Sequence, residues 1–524
     1  MNPRRWWSRR ELLTRSALGL GAAALAELTL AETACKRLTF GQQAYGCEER
    51  SSSAVSAASP PPSSSSSSSS SLTALPDTLG RRLPHFEPTA KRVIFLFMSG
   101  GPSHLDLFDP KPELNRLHGQ AVPESFLKTL SDPVIKGNAR CFGSPRRFTR
   151  YGASGMEFSD FLPMMGGCAD DLCLIRSMHT TSSNHDPGQL LMQCGTPLFG
   201  HPCMGSWVTY GLGSETRELP AFAVLLSNSG EGIDAGTSLW SNGFLPSNYR
   251  GVTFRGQGDP ILHLSNPTGV GRAAQRAKLD ALRRMNAERL AATGDTEIEA
   301  RIESYELAYR MQMAAPELVD FSGETAATRA LYGLDRDATR AFGANCLLAR
   351  RMVERGVRFI QLYHSTWDDH SDLNGHLAKN TAMTDLPVAG LIRDLKARGL
   401  LEETLVIWGG EFGRTPMHEI RRGTTPGKEG RDHHPFGFSM LLSGGGVKGG
   451  YVLGRTDDLG YHAIEDRVHV HDLQATILHC LGLDHTRLTY RHQGRDFRLT
   501  DVGGAVVNKI LSDGGVARRP LSAA

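Results

Sequence analysis

The chain has 524 residues, with 58 Lys+Arg against 55 Asp+Glu, a formal net charge of +3, and 40% hydrophobic residues. Without its arginine-rich start the remainder is near neutral, so no basic footprint points to nucleic acid. Nine cysteines without a CxxC pair argue against a zinc–thiolate site and specify no disulfide, although export would permit one.

The sequence opens like an export signal. "SRRELL" (8–13) places Arg9 and Arg10 before a weakly apolar stretch at 17–31. A basic start, a short apolar run and small residues form the layout of a secretory signal, and the arginine pair gives it twin-arginine character. Spanning a membrane takes about 20 apolar residues, and this run is shorter and broken by Glu27. Cys35 invites a lipoprotein reading, but Glu32 stands where that motif takes an apolar residue. The expected organisation is a signal at 1–35 and a Ser/Pro-rich linker at 36–83. An α/β body at 84–511 and a tail at 512–524 follow. The linker contains nine consecutive serines, Ser63 to Ser71, and has nothing apolar to bury. The expected location is periplasmic or extracellular, reached through the twin-arginine export machinery, with no transmembrane segment in the mature chain.

Within the body, near-continuous apolar runs recur at 92–101, 171–178, 221–227, 357–363, 404–412 and 438–446. Strands buried on both faces read this way. Helix-like segments at 280–292, 297–313, 340–355, 376–398 and 471–481 lie between or after them. This alternation predicts a three-layer α/β sandwich with a mainly parallel central sheet. The stretch from Val270 to Leu334 is charged and poor in strand signals, so a helical insertion is expected at about 270–355. Of 19 histidines, only His263 lies between 202 and 363. The first and last thirds of the body are therefore expected to supply one site.

Several apolar runs end in polar clusters, and ligands of open α/β sheets bind at the carboxyl ends of strands. "FMSGGPSHLDLFDPKP" brings His104, Asp106 and Asp109 after two glycines that favour a sharp turn. "MHTTSSNHDPGQLLMQCG" sets Thr181, Ser182, His185 and Asp186 before Pro187, at a helix entry suited to anions. "YHSTWDDHSDLNGH" (363–376) offers Asp368 and His370 two apart on a loop; Trp367 reads as packing. "WGGEFGRTP" (408–416) supplies Glu411 and Arg414, whose guanidinium is expected to clamp an anionic oxygen. "GRDHHP" (430–435) adds His433 and His434, and "HVHDLQATILHCLGLD" (469–484) adds His471, with Asp472 as a helix cap. Mixed Asp/Glu/His ligands without thiols suit zinc, manganese, magnesium, calcium or iron. Such ions polarise ester oxygens and activate water.

At these segments, and at "DHHPFGFSMLLSGGGVKGG" and "LPAFAVLLS", the sequence resembles the bacterial family of domain of unknown function 1501. That family is similar to the alkaline phosphatase and sulfatase superfamily. The resemblance implies an alkaline-phosphatase-like sheet, one or two divalent ions (zinc, calcium, magnesium or manganese), and a nucleophile at a helix N-terminus. Carried over by position, it implies metal ligation by Asp106, Asp368, His370, Glu411, His433 or His434, and His471. Where a sulfatase has Cys- or Ser-x-Pro-x-Arg, "HDPGQ" has His185 at the first position and Gln189 at the last. A formylglycine sulfatase is not expected. The nucleophile is then Thr181, Ser182 or a metal-bound water, with His185 as a further ligand. The expectation is an exported metal-dependent hydrolase of small-molecule or polysaccharide phosphate or sulfate esters. The alternative is a non-catalytic carbohydrate- or surface-binding protein on a sulfatase-like fold.

Overall fold

From Val93 onward every side chain of Arg92–Met98 (β1) is apolar and buried. Val93, Phe95 and Phe97 enter one apolar cluster, while Ile94, Leu96 and Met98 enter another. Successive strand residues point to opposite faces, so this strand is covered on both sides. The structure, a computed structural model, describes residues 79–127, 140–227, 233–255, 261, 264–419 and 425–512. The signal, most of the linker and nearly all of the tail expected from the sequence lie outside them.

The central sheet adds Leu172–His179 (β2), Phe222–Leu226 (β3), Val252–Arg255 (β4), Phe359–His364 (β5) and Thr404–Gly409 (β6). Phe438–Ser443 (β7), Tyr451–Leu453 (β8) and Val468–His469 (β9) complete it. Its order is β8-β2-β7-β6-β1-β5-β3-β4, with β9 also paired to β2. Only β7 runs antiparallel to its neighbours, β2 and β6; the other pairings are parallel. The six apolar runs are the six long strands. The short edge strands β4, β8 and β9 carry too few apolar residues to stand out in the sequence.

Helices His185–Cys194 (α1), Met204–Leu212 (α2) and Val470–Cys480, the last α-helix among the described residues, cover one face through Leu191, Trp207 and Ile477. Arg272–Thr293 (α3) and Thr296–Val319 (α4) form the hairpin of the insertion, and α3 buries no side chain. Asp337–Glu354 (α5) and Leu373–Ala397 (α6) run against each other on the opposite face through Phe342, Cys346, Leu391 and Leu395. Val470–Cys480 is α7. The expected insertion therefore ends too late: α5 belongs to the sheet's own layer. Its amphipathic pattern, apolar on one side and charged on the other, is that of a helix lying on a sheet. The described residues form two units. Residues 266–275 make a turn, closed by Val270 N–H to the Pro267 carbonyl, and the first turn of α3; the other unit holds the rest.

No described helix is long and apolar enough to cross a membrane. The seven described cysteines are buried. Burial pushes the Cys173 thiol up to about 12, so it stays protonated.

His364 closes β5. Its Nδ1 lies 2.9 Å from the Ser227 hydroxyl, its Nε2 has no partner, and burial drives its pKa down to about 4 from 6.5. A folded-state pKa below the unfolded value gives stability that is complete above about pH 6.5 and is lost as pH falls towards 4. Melting temperature is therefore expected to decline across that window. His364→Gln should flatten the decline, and an unchanged slope would refute the assignment.

Candidate metal centre

Four loops meet at the carboxyl edge of the sheet. Gly100, after β1, has φ +117, and a Cβ there would lie 2.5 Å from the Asp368 amide nitrogen. Only glycine lets the loop after β5 pass so close. That loop is itself strained, since β-branched Thr366 sits at φ +81. Asn380 of α6 pins it, accepting from the Thr366 hydroxyl at 3.0 Å and donating to its carbonyl at 2.6 Å. Across the loop, a Cβ on Gly430 would meet the His370 carbonyl carbon at 2.0 Å. This close approach brings the segment carrying His433 alongside.

His185, Asp368, His370 and His433 offer ligand atoms that all lie within 4.8 Å of one another. Asp368 Oδ1 is the hub. The Nε2 atoms of His370 and His433 each lie 2.9 Å from it, and that of His185 lies 3.3 Å away. The opposite nitrogen of each ring is engaged. His185 Nδ1 meets Glu411 Oε1 at 2.9 Å, His370 Nδ1 meets Glu419 Oε2 at 2.5 Å, and His433 Nδ1 meets the Ser183 carbonyl at 2.8 Å. All three partners accept, so each Nδ1 carries a proton, and a ring that is neutral turns its Nε2 lone pair toward Asp368.

That geometry tests whether an ion fits. The Nε2 atoms of His370 and His433 stand 3.0 Å apart. Two lone pairs at that separation repel unless a cation or proton lies with them. His185 Nε2 is buried without a hydrogen bond. Metal-bound histidines usually give their other N–H to a carboxylate or carbonyl, the arrangement seen three times here. The residues fit a divalent ion.

The electrostatics agree. Burial disfavours ionised Asp368, but the three imidazoles and Arg414 hold its carboxyl far below the usual carboxylate range. Burial also disfavours protonated His185, yet Asp368 and Glu411 outweigh it and raise its pKa to about 10. His433 is lowered by burial against the pull of Asp368. With no ion, the cluster retains a proton at His185; an ion displaces it.

Five expected roles change. Asp106 is fully buried and pairs with Arg431, Nε to Oδ2 at 2.8 Å, and so is not free to ligate. Glu411 is also fully buried and lies behind His185, accepting from its Nδ1 and from the Gly100 amide. His434 faces away: it alternates with His433 on a two-residue ladder against Gly413–Arg414, and its Nε2 donates to the Tyr461 carbonyl. His471 Nε2 donates to the Gly195 carbonyl at the end of α1. Arg414 is no free anion clamp. It is fully buried, and its guanidinium is spent on the carbonyls of Gly100, Gly101, Trp367 and Arg431 and on Asp368 Oδ1.

Thr181 is exposed, and the Ser182 hydroxyl bonds the Asn184 carbonyl at 3.4 Å; both lie on the segment whose Ser183 carbonyl holds His433. Trp367 is packing, edge-on to Trp408, and Asp472 caps α7. Glu419 and Asp432 join His370 in a second cluster; Asp432 stands in the "GRDHHP" segment beside His433, while Glu419 lies outside every quoted motif and leaves no local signal. Gln189 bonds the Ser99 hydroxyl at 2.8 Å and Asp234 at 3.3 Å.

The model of a family described as a protein of unknown function, DUF1501, matches residues 90–511. The chain belongs to the DUF1501 family. No curated protein matches the sequence. Among solved structures, this DUF1501 chain is similar to the PsFucS1 sulfatase from Pseudoalteromonas sp. The identity is 12%, with 82% of this chain and 74% of that one covered and a TM-score of 0.35. It is likewise similar to the alkaline phosphatase from the Antarctic bacterium TAB5, at 10% identity, 76% and 99% coverage and a TM-score of 0.32. The lipoteichoic acid synthase LtaP from Listeria monocytogenes is a third, at 9% identity, 81% and 79% coverage and a TM-score of 0.34.

Proposed function

We propose that this DUF1501 protein is an exported, metal-dependent hydrolase of phosphate or sulfate esters. One observation carries the reading: three imidazole Nε2 atoms converge on Asp368 Oδ1, each ring oriented through its Nδ1 by an acceptor. His185, Asp368, His370 and His433 hold the ion. Three nitrogens and one oxygen favour zinc or iron over calcium, magnesium and manganese, which prefer oxygen ligands. The cluster His370–Glu419–Asp432 shares His370, so these donors supply one ion fully and a second only by sharing a ring.

An ion there supplies Lewis-acid polarisation of an ester oxygen and lowers the pKa of water. The chain's residues do the rest. Glu411, Glu419 and the Ser183 carbonyl fix the imidazole tautomers. Arg414 holds Asp368 against the loop after β1. Thr181 and Ser182 are hydroxyls on the segment that leads into the helix carrying His185. Glu411→Gln is expected to weaken zinc binding roughly 10–100-fold, as changes to the outer partners of metal ligands do; chelator competition measures this.

The "SRRELL" signal supports twin-arginine export to the periplasm or beyond. Replacing Arg9 and Arg10 with lysine should leave the protein in the cytoplasm, and normal export would remove that part of the reading.

A second reading, non-catalytic carbohydrate or surface binding, draws on Gln189 and Arg414. The first stands where a sulfatase has arginine, and the second has its guanidinium fully engaged. Zinc- and iron-loaded proteins, wild type and Asp368→Ala, should be assayed on an aryl phosphate, a phosphodiester and an aryl sulfate. Turnover by the wild type alone supports the hydrolase. No turnover, with both proteins binding a polysaccharide equally, supports the second reading.

A further inference from the structure

The segment after β1 carries a buried ion pair that the reaction does not use. Asp106 and Arg431 are both fully buried. Arg431 Nε donates to Asp106 Oδ2 at 2.8 Å and Nη2 to Oδ1 at 3.4 Å, while the Ser103 hydroxyl donates to Oδ2. The remaining side of the guanidinium is fixed as well. Nη1 donates to the Thr415 carbonyl at 3.1 Å, and the plane lies over the Phe142 ring at 4.6 Å.

The main chain of Arg431 connects this pair to the metal centre. Its N–H donates to the Asp369 carbonyl at 3.1 Å, between Asp368 and His370. Its carbonyl accepts from Arg414 Nη1 at 2.9 Å, and Arg414 Nη2 donates to Asp368 Oδ1 at 2.7 Å. His433 follows two residues later. A continuous path therefore runs from the Asp106 carboxylate through two buried guanidinium groups to the carboxylate at the hub. The same residue that ends the path at Asp106 sets the backbone of both ligand-bearing loops.

We propose that Asp106 and Arg431 are positioning residues for the metal centre, holding the Asp368–His370 loop and His433 in register from behind. The proposal rests on the metal reading of the site. Its physical basis is that a buried ion pair adds little net stability compared with apolar residues of similar size. Ligand geometry, by contrast, must be held within about 0.5 Å for function. A pair of this kind contributes through geometry.

Three proteins decide it: wild type, Asp106→Leu/Arg431→Met and Asp106→Asn. The double variant removes both charges together, so it should stay folded with a melting temperature near that of the wild type. Zinc affinity by chelator competition and the visible absorption of cobalt-loaded protein are the readouts. In the double variant, zinc should bind roughly 10–100-fold more weakly, with the cobalt bands shifted or diminished. A folded double variant with unchanged affinity and unchanged bands would overturn the proposal, leaving the pair without a role at the metal centre. If the double variant does not fold, the folded fraction of Asp106→Asn is read by the same two measurements with the same meanings. If the wild type itself binds neither ion, or His370→Ala binds as well as the wild type, the metal reading fails and the proposal falls with it.

Discussion

Asp368→Ala protein is expected to lose the ion that the wild type holds. Its carboxylate is the one acceptor shared by three imidazoles and Arg414. Removing an outer partner of a ligand costs about 10–100-fold in metal affinity, so removing the hub ligand should cost at least the upper end of that range. The fold should survive. The Asp368 side chain is 41% exposed, and Trp367 and Leu373, which anchor its loop, remain buried. Metal content by mass spectrometry, with circular dichroism on the same sample, checks both halves. A folded Asp368→Ala protein retaining its ion would move the centre elsewhere. A wild type without an ion would make the cluster a polar loop and give the binding reading the lead.

Arg414→Met is expected to act on stability first. The guanidinium is fully buried and donates to four backbone carbonyls from three separate loops, as well as to Asp368. Methionine fills similar space but donates nothing, so these acceptors lose a buried partner. Losing one side of a buried charged network costs about 3–5 kcal/mol. Because Asp368 is partly exposed, most of that loss falls on the carbonyls, where each unmade bond costs about 1–3 kcal/mol. Arg414→Lys should recover only part, because an ammonium is a point donor where guanidinium is a fork. Urea midpoints of the three proteins measure the effect. If Arg414→Met unfolds at the wild-type midpoint, the guanidinium is not the clamp between these loops, and a role in holding a substrate anion returns.

The strands most legible in the sequence are those buried on both faces. Long apolar runs such as 92–98 need no partner to be recognised, because both neighbouring layers demand apolar side chains there. Ladders of two or three residues, such as Val468–His469, owe their form to pairing with β2 and leave no local pattern. The end of the insertion leaves no local mark for a related reason. Charge marks the α3–α4 hairpin, but α5 also carries charge outward, at Arg340 and Glu354. Only its packing against α6 shows that it belongs to the sheet's layer.

By itself the sequence determined that ligand-capable residues follow buried strands, and its candidates included Asp368, His370, His185 and His433 alongside Asp106, Glu411, His434 and His471. The tertiary structure decided which of them meet and which atom each presents. His433 and His434 are adjacent and chemically identical, yet they project to opposite sides of one short ladder, and only one reaches Asp368. Glu411 and Asp106 each follow a strand as a ligand would. Their carboxylates are nevertheless consumed by His185 Nδ1 and by Arg431, partners 226 and 325 residues away in the chain. A buried carboxylate must be paired, and in this protein the pairing donor comes from a distant segment.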